Sequence, residues 1–522
     1  MVNGASALID VLHAAGVRRV YGVPGEHCLA VSDAVAAIPD MTFVASRHEG
    51  GAAFMAEAEA KLTGVPGVCL GTAGVGASNL TLGIHTARQD STPLIAIVGQ
   101  IGTDWRHREA WQEVDLAEAY GPFAKWAVEV PHADRMYEFA SRAVATALAS
   151  RRGPVLLSVP LDMQEAQISE QSIEPLPALT SAMATGDADA LVELLTQANS
   201  PVLLVGGGLA GGVAHDELVA VAEATGTRVV TAFRRPDAFP NDHAAYVGPS
   251  GLGVGPAVRA ALEDADVLLA LGTRLSELST MRYAIPGRTQ TFVHIDASPS
   301  VLTAGVRRPD QAFVADPVAA ARALAAAARA RNTTSTFTEI DRPGPGSTKL
   351  AAFAAVLAQE LAADAIVTSD AGDFNAPFVK ALQFTGERRY IGPTAGAMGY
   401  GLPSAIAASL VAPGRQVVGL VGDGGLMMTI GELETAVRLQ SQLTLLVVNN
   451  NEYGSIYRHQ TDQFDGRYVG VTLQNPSFAA VADVFGATGV VLGEPDMLAD
   501  ELDKARQRNG PTVLEVMTTG SG

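Results

Sequence analysis

Short apolar runs alternate with helical segments along almost the whole chain, and this alternation restricts the fold more than any other feature. A helical stretch over residues 5–15 precedes a strand-like run at 17–21, and an apolar run at 41–45 precedes an alanine-rich helix over 50–62. Short apolar runs separated by helices are typical of parallel strands joined by crossover helices. The pattern therefore predicts an α/β protein with doubly wound parallel sheets.

Two segments interrupt this alternation and divide the chain into three predicted domains. Residues 164–187 mix Ser, Pro and acidic residues without periodicity, and residues 332–347 carry Thr, Pro and Gly. A single hydrophobic core rarely organises more than about 300 residues, and this chain has 522. We expect an N-terminal domain over 1–165, a middle domain over 187–331 and a C-terminal domain over 348–522, each with its own parallel sheet.

Charge and cysteine content exclude several classes of partner. The formal net charge of −19 disfavours binding to nucleic acid or to anionic membranes. No run approaches the roughly 20 apolar residues that a membrane-spanning helix needs. Cys28 and Cys69 are the only cysteines, too few for a disulfide framework, so a reducing compartment is expected. The sequence predicts a cytoplasmic protein with neither nucleic acid nor a membrane as a partner.

Two polar motifs in the third domain each follow an apolar run. Gly422-Asp423-Gly424-Gly425 follows the run at 416–421, and Asn449-Asn450-Asn451 ends the run at 443–448. The 27 positions from Asp423 to Asn450 suit one strand–helix–strand unit, which would bring both residues to one edge of the sheet. Carboxylate and amide oxygens are the donors that Mg²⁺ prefers, so a magnesium site is predicted there.

The glycines of the first motif suit a phosphate group beside the metal. Gly422, Gly424 and Gly425 would let a phosphate approach the backbone, and the N-terminus of the following helix would favour its charge. Either motif alone is more often an ordinary turn or strand-end loop. Their combination at this spacing favours the site.

These motifs resemble the signature of thiamine-diphosphate enzymes. Nearly the whole chain resembles the superfamily of acetolactate synthase, benzoylformate decarboxylase and pyruvate decarboxylase, and acetolactate synthase-like proteins most strongly. The resemblance implies that thiamine diphosphate and Mg²⁺ are cofactors and that Asp423, Asn450 and the backbone carbonyl of Glu452 are the metal ligands. It also implies a homodimer or homotetramer whose active sites lie across the subunit interface.

Two further segments resemble parts of the family's site that activate the cofactor. Arg47-His48-Glu49-Gly50-Gly51-Ala52 resembles the motif whose glutamate shares a proton with the aminopyrimidine ring, which implies that role for Glu49. In Gly396-Ala397-Met398-Gly399-Tyr400-Gly401, the carbonyl of Gly396 would accept from the exocyclic amine and Met398 would separate the two rings. The alternatives are a glutamate stabilised by its helix dipole and a methionine that fills a gap.

A weaker resemblance concerns the segment Asp370-Ala371-Gly372-Asp373. It follows an apolar run at 365–368. By resemblance, Asp370 and Gly372 would lie near the diphosphate.

The substrate pocket is less well defined by the sequence. In Gly22-Val23-Pro24-Gly25-Glu26, Gly25 would lie near the cofactor, and Glu26 is an acid as in pyruvate decarboxylases, where acetolactate synthases have glycine. His27 would titrate near neutrality. Gln112 resembles the glutamine of the synthases' Phe-Gln-Glu segment, which reaches the reacting carbons. The alternatives are a turn with a solvated Glu26, a structural His27 and a Gln112 at the surface.

Two departures from acetolactate synthases put the acceptor substrate in doubt. Leu278 occupies the place of the arginine that binds the acceptor's carboxylate, and leucine cannot make that bidentate contact. His459 occupies the place of the family's pocket tryptophan. Tyr457, Arg458 and His459 form a polar cluster that either binds a carboxylate or sulfonate or belongs to a surface loop.

The leading functional hypothesis is a carbon–carbon lyase or ligase that decarboxylates a 2-oxo acid or similar carbonyl compound and joins the product to a second carbonyl. The first alternative is a simple decarboxylase, which Glu26 favours. A flavin or nicotinamide oxidoreductase would use Gly206-Gly207-Gly208, a fragment of a dinucleotide motif that leaves FAD binding open. An inactive regulatory subunit is disfavoured because Glu49, Asp423 and Asn450 are all present.

Overall fold

Three six-stranded sheets form the framework of the protein. The computed structural model describes residues 1–174, 180–331, 334–338, 344 and 346–518. Within these residues each predicted domain contains one six-stranded sheet, and helices connect its strands. The predicted fold class, three doubly wound parallel-sheet domains, is therefore confirmed.

The first sheet is parallel throughout. Its order in space is Thr42–Ala45, Arg19–Gly22, Gly67–Thr72, Leu94–Gln100, Pro154–Pro160 and Trp126–Glu129. The two strands Leu94–Gln100 and Pro154–Pro160 are buried at every position, as expected of central strands covered on both faces. The helices of this domain are Gly4–Ala14, Leu29–Ala36, Glu49–Thr63, Ala73–Asp90, Leu116–Tyr120, Met136–Leu148 and Leu161–Glu165.

The middle sheet has the same doubly wound design. Its parallel strands lie in the order Tyr246–Pro249, Arg228–Thr231, Pro201–Val205, Val267–Leu271, Thr291–Asp296 and Gln311–Val314. Two separate apolar clusters pack on it, one around Leu203 and Leu269 and the other around Leu204 and Leu268. Neighbouring strand residues thus enter different cores. The helices are Thr185–Gln197, His215–Thr225, Pro256–Asp264, Pro299–Ala304 and Pro317–Arg329.

Packing inside the middle domain accounts for its glycine run. A Cβ on Gly206 would lie 2.2 Å from the carbonyl oxygen of Gly272, and a Cβ on Gly208 would lie 2.8 Å from Cγ of Pro317. These internal contacts require glycine at both positions whether or not a nucleotide binds there. The run is therefore no support for the oxidoreductase alternative.

The third sheet carries the two polar motifs. Its strands lie in the order Arg389–Ile391, Ile366–Ser369, Val417–Gly422, Thr444–Asn449, Thr512–Met517 and Thr488–Leu492. The helices are Lys349–Glu360, Asn375–Ala381, Gly401–Val411, Asp423–Thr429, Glu432–Arg438, Gly454–Gln463, Phe478–Phe485 and Met497–Gln507. The two central strands, Val417–Gly422 and Thr444–Asn449, are adjacent and parallel.

By density of contacts the chain divides into two compact units. One comprises Met1–Ala178, Val367–Phe374 and Ile391–Gly522, and the other comprises Leu179–Ile366 and Asn375–Tyr390. The domain limits at 165, 187, 331 and 348 remain predictions. Ordered structure nevertheless continues past residue 165, because Gln167–Ile168 forms a short antiparallel pair with Val2–Asn3.

The part of the chain that the structure describes contains no helix both long and apolar enough to span a bilayer. Cys28 and Cys69 are both buried free thiols.

Candidate active site

The sheet of the third domain places both polar motifs at one edge. Gly422 is paired in register with Val448. Asp423 directly follows the strand Val417–Gly422, and Asn450 directly follows the strand Thr444–Asn449. Because the strands are parallel, their carboxyl ends lie side by side. The two predicted metal ligands therefore lie at the same edge of the sheet.

Backbone and side-chain donors hold the carboxylate of Asp423 in a fixed orientation. The side chain is only 3% exposed. Its Oδ1 accepts from the amide of Gly424 at 2.9 Å, and its Oδ2 accepts from the amide of Asn451 at 2.8 Å and from Nδ2 of Asn475 at 2.7 Å. Burial raises the pKa of Asp423, and these hydrogen bonds oppose that rise. A cation beside the carboxylate would also favour its ionised form.

The three asparagines after the strand have different environments. Nδ2 of Asn449 donates to Oε1 of Glu515 at 2.8 Å, inside the domain. Asn450 lies in the loop, and its Oδ1 accepts from the amide of Glu452 at 3.1 Å. Asn451 adopts a left-handed φ of 58°, which asparagine tolerates well. Of the three asparagines, Asn450 is therefore the one whose side chain contacts the Glu452 amide in the loop.

This set of oxygen donors fits Mg²⁺. A carboxylate, an amide oxygen and backbone carbonyls at a strand edge are hard donors of the kind that this ion selects. Among the described residues, no cluster of three or more His, Cys, Asp or Glu side chains could hold a metal. A site at Asp423 and Asn450 would therefore depend on amide and carbonyl oxygens as well as one carboxylate.

Sequence reasoning missed Asn475. Its Nδ2 contacts Oδ2 of Asp423 and also lies 3.1 Å from Oδ1 of Asn449. Asn475 belongs to no motif and is 52 positions from Asp423, so the sequence carried no signal for it. Asn475 thus links the Asp423 carboxylate to Asn449 at the end of the strand Thr444–Asn449.

The glycines after Asp423 are required by close packing. A Cβ on Gly424 would lie 2.6 Å from the ring of Tyr453, and a Cβ on Gly425 would lie 2.3 Å from Oδ2 of Asp370. At Gly422, a Cβ would lie 3.1 Å from the ring of Phe374. Internal contacts alone therefore forbid larger residues at Gly424 and Gly425.

Asp370 supports the loop predicted to hold the pyrimidine. Its fully buried carboxylate accepts from the amide of Gly399 at 3.0 Å and from the amide of Ala371 at 2.7 Å. Gly396 and Gly399 have φ values of 70° and 83°, which glycine adopts without strain. Gly372, at φ 153°, lies beside the ring of Phe374. Asp370 thus contacts the 396–401 loop directly.

Met398, from this loop, lines a cavity of about 460 Å³. Gly50 and Gly51 of the first domain line the same cavity. The predicted wedge residue and the start of the Glu49 helix therefore border one space within a single chain.

Glu49 is the first residue of the helix Glu49–Thr63 and is 8% exposed. Nδ2 of Asn79 donates to its Oε2 at 2.8 Å. A Cβ on Gly76 would lie 3.4 Å from its Oε1. Asn79 and Gly76 come from the following crossover helix, Ala73–Asp90. The carboxylate is thus oriented by one amide and has close neighbours on one side.

Glu432, which the sequence analysis did not single out, fixes the turn before Glu49. Its carboxylate accepts from the amides of Arg47 and His48 at 3.1 and 3.0 Å and from the hydroxyl of Thr435 at 2.7 Å. The side chain is 1% exposed, and burial raises its pKa. A Cβ on Gly51 would lie 2.4 Å from its Oε1. Glu432 therefore ties the third domain to the helix that carries Glu49.

Replacing Glu432 by Ala is expected to destabilise the protein by about 1–3 kcal/mol, because two backbone amides and a hydroxyl lose their acceptor in a buried place. We also expect kcat to fall, since the turn before Glu49 loses its anchor. Urea unfolding and steady-state kinetics measure the two effects. Glu434→Ala is the control, because the half-exposed Glu434–Arg438 pair should contribute less than about 1 kcal/mol. Equal effects of both substitutions would contradict this role.

The predicted proton donors line a cavity of the first domain. Glu26 and His27 border a space of about 560 Å³ together with Trp111. Gly25 precedes them, and a Cβ there would lie 2.4 Å from Cβ of Thr72. Glu26 is exposed, whereas His27 is buried, and this burial lowers the pKa of His27.

Gln112 directly follows Trp111, which lines this cavity, along the chain. Its backbone carbonyl accepts from the amide of Gly74 at 3.0 Å, and its φ is 65°. Its side-chain Oε1 is buried and has no hydrogen-bond partner among the described residues. This oxygen therefore still has its acceptor capacity.

The polar cluster lies on a helix, Gly454–Gln463, instead of in a loop, and none of the residues of this helix is buried. The ring of Tyr457 stacks on Tyr468 with centroids 4.1 Å apart, and Arg458 pairs with Asp373 at 2.8 Å. His459 is exposed. Two of the three side chains thus have partners within the third domain.

Comparison with known proteins gives consistent matches over the whole chain. Residues 2–119 match the thiamine pyrophosphate enzyme N-terminal TPP binding domain, residues 188–324 the central domain and residues 370–516 the C-terminal TPP binding domain. The acetolactate synthase large subunit of Parasynechococcus marenigrum (strain WH8102) is 31% identical, over 99% of this chain and 87% of that protein. The acetolactate synthase isozyme 3 large subunit of Escherichia coli (strain K12) is 30% identical, over 100% and 96%.

A solved structure has the same fold. The Rhodococcus jostii RHA1 thiamine diphosphate-dependent 4-hydroxybenzoylformate decarboxylase superposes with a TM-score of 0.88 at 24% identity, over 99% of each chain. At this identity the likeness concerns the fold alone. The sequence matches and the fold together establish that the chain belongs to the thiamine pyrophosphate enzyme family and is a thiamine-diphosphate-dependent carboligase or decarboxylase.

Proposed function

We propose that the protein is a Mg²⁺-dependent carboligase that decarboxylates a 2-oxo acid and joins the remaining fragment to a second carbonyl compound. The observation that carries the proposal is the placement of Asp423 and Asn450 at adjacent strand ends, beside a helix N-terminus. Thiamine diphosphate, when bound, supplies a carbon nucleophile and stabilises the negative charge left after loss of CO₂.

In this proposal the third domain holds the diphosphate end of the cofactor. Asp423, Asn450 and the carbonyl of Glu452 would bind Mg²⁺, and the ion would take its remaining ligands from phosphate oxygens and water. The N-terminus of Asp423–Thr429 offers backbone amides to the negative charge. Asp370 would act indirectly, by holding Gly399 and so the loop with Gly396 and Met398.

Glu49 would control the proton on the pyrimidine ring. A buried carboxyl group can share a proton with a ring nitrogen, and the hydrogen bond from Asn79 leaves Oε1 of Glu49 for that contact. From the resemblance to the family, in which these two domains meet across a subunit boundary, we also propose that the active unit is a homodimer or homotetramer with each site built across the interface.

Glu26, His27 and Gln112 would handle the substrate. Burial keeps His27 neutral near pH 7, so that it can accept or donate a proton through one ring nitrogen. Glu26 is the carboxyl group in the lining of that cavity, and the unpartnered Oε1 of Gln112 would accept from a substrate hydroxyl. The second candidate, a simple decarboxylase, is favoured by Glu26, since an acid there can protonate the fragment before an acceptor arrives.

A panel of 2-oxo acids with and without aldehyde or 2-oxo-acid acceptors separates the two candidates. With thiamine diphosphate and Mg²⁺ present, CO₂ release and product masses are followed together. Coupled products support the carboligase, and free aldehydes alone support the decarboxylase. Absence of CO₂ release from every acid would contradict both.

A further inference from the structure

The cavity lined by Glu26 and His27 also has large apolar side chains in its wall. It has a volume of about 560 Å³, and its lining includes Glu26, His27, Trp105, Arg108, Trp111 and Leu161. All six residues belong to the first domain. The volume falls in the usual range for small-molecule sites, about 300–1,000 Å³.

The segment with Trp111 is held in place by the neighbouring Glu113. Its carboxylate accepts from the amides of His107 at 2.7 Å and of Ala110 at 3.2 Å. The Gly74 amide bonds the carbonyl of Gln112 and fixes the end of the segment to the helix Ala73–Asp90. The Trp111 wall is therefore preorganised.

The segment with Trp105 is anchored by a carboxylate next to Leu161. The amide of Thr103 donates to Oδ1 of Asp162 at 3.0 Å, and its hydroxyl donates to Oδ2. Trp105 ends the short turn that begins at Thr103. This wall of the cavity is thus tied to the helix Leu161–Glu165, which contains Leu161.

The back of the cavity is fixed as well. The carbonyl of His27 accepts from Nε2 of the fully buried Gln164 at 2.8 Å, and the His27 ring lies 6.1 Å from the ring of Trp111. The polar end of the cavity and its indole wall thus have a defined separation.

Two exposed indoles offer a large apolar surface to a ligand that enters this cavity. Trp105 is 58% exposed and Trp111 is 67% exposed. A flat ring placed against them would remove apolar surface from water and gain aromatic packing. A substrate with only a methyl group would cover little of either indole.

We propose that this cavity selects 2-oxo acids with an aromatic or similarly bulky apolar side chain, and that Trp105 and Trp111 determine this selectivity. Arg108 supplies a positive charge for the substrate's carboxylate, and Glu26 and His27 face its reacting end. The inference rests on the proposed 2-oxo-acid chemistry and adds the substrate class to it.

The kinetic test compares phenylpyruvate with pyruvate in the full-length enzyme. The ratio of kcat/KM values should favour phenylpyruvate, and Trp111→Ala and Trp105→Ala should lower kcat/KM for phenylpyruvate by about tenfold or more but that for pyruvate by less than about threefold. Trp111→Phe, which keeps a ring, should retain most of the selectivity. Preference for pyruvate, or equal losses for both acids, would overturn the proposal.

A binding test does not depend on turnover. The chain has three tryptophans, and the third, Trp126, stacks on Phe139 at 5.8 Å and contacts Arg142. In Trp126→Phe, all tryptophan fluorescence therefore comes from the cavity. This variant is also the matched control for activity, which should stay unchanged.

Titration of Trp126→Phe with unreactive 3-phenylpropionate should change this fluorescence at concentrations at least about tenfold lower than propionate requires. Equal responses to both acids would overturn the inference even if 2-oxo acids are turned over. Selective binding of the aromatic acid without decarboxylation of any 2-oxo acid would instead contradict the proposed function while leaving the apolar specificity of the cavity supported.

Discussion

Replacing Glu49 by Gln is expected to lower kcat by about 10²–10⁴-fold with cofactor and Mg²⁺ at saturation, which is the usual contribution of a positioned proton-transfer group. An amide has nearly the same shape and can still accept the hydrogen bond from Asn79. It cannot share a proton with a ring nitrogen. Steady-state kinetics measure the loss, and calorimetry should show a thiamine-diphosphate affinity within about tenfold of the wild type, since the diphosphate contacts remain.

The matched control distinguishes this role from stabilisation of a helix end. Glu138 lies in the first turn of Met136–Leu148 and pairs with Arg135 at the surface. Glu138→Gln should change stability little and leave kcat unchanged. If Glu49→Gln leaves kcat unchanged, as expected for Glu138→Gln, then Glu49 only stabilises the N-terminus of its helix. Its proposed proton sharing with the pyrimidine ring would then be wrong.

The fold was predictable because each parallel strand is marked locally. The strands Ile366–Ser369, Val417–Gly422 and Thr444–Asn449 are each displaced by one residue from the predicted apolar runs at 365–368, 416–421 and 443–448. Buried strands in doubly wound sheets are short apolar runs with helices between them, so periodicity and length suffice. The placement of Asp423 and Asn450 then follows from the handedness and directionality of the strand–helix–strand unit.

The residues that orient the site were not predictable in the same way. Asn475 and Glu432 act through contacts with residues 52 and 384 positions away along the chain. A single Asn or Glu outside any motif does not indicate a contact with a residue so distant along the chain. Asn79 lies within the helix Ala73–Asp90, and its contact with Glu49 depends on the packing of two crossover helices. The same limit applies to Trp105 and Trp111, whose common cavity exists only once their loop is anchored.

Replacing Asp423 by Ala is expected to weaken Mg²⁺-dependent binding of thiamine diphosphate by at least about 100-fold, because even outer partners of metal ligands contribute about 10–100-fold. The carboxylate is the one charged side chain among the three proposed ligands, so its loss removes the main attraction for the ion. Calorimetric titration of the cofactor into protein with excess Mg²⁺ measures the effect. Activity should be lost in parallel.

Asn475→Ala provides the graded comparison for this site. Asn475 reaches Oδ2 of Asp423 without being a proposed ligand, so its removal should weaken cofactor binding by about 10–100-fold. Asp423→Asn should resemble Asp423→Ala in binding, because an amide keeps the shape but not the charge, and its far-UV circular dichroism should match the wild type. Retention of wild-type cofactor affinity in both Asp423 variants would show that the two strand ends meet without holding a metal, and the phosphate would then have to be bound by the helix N-terminus alone.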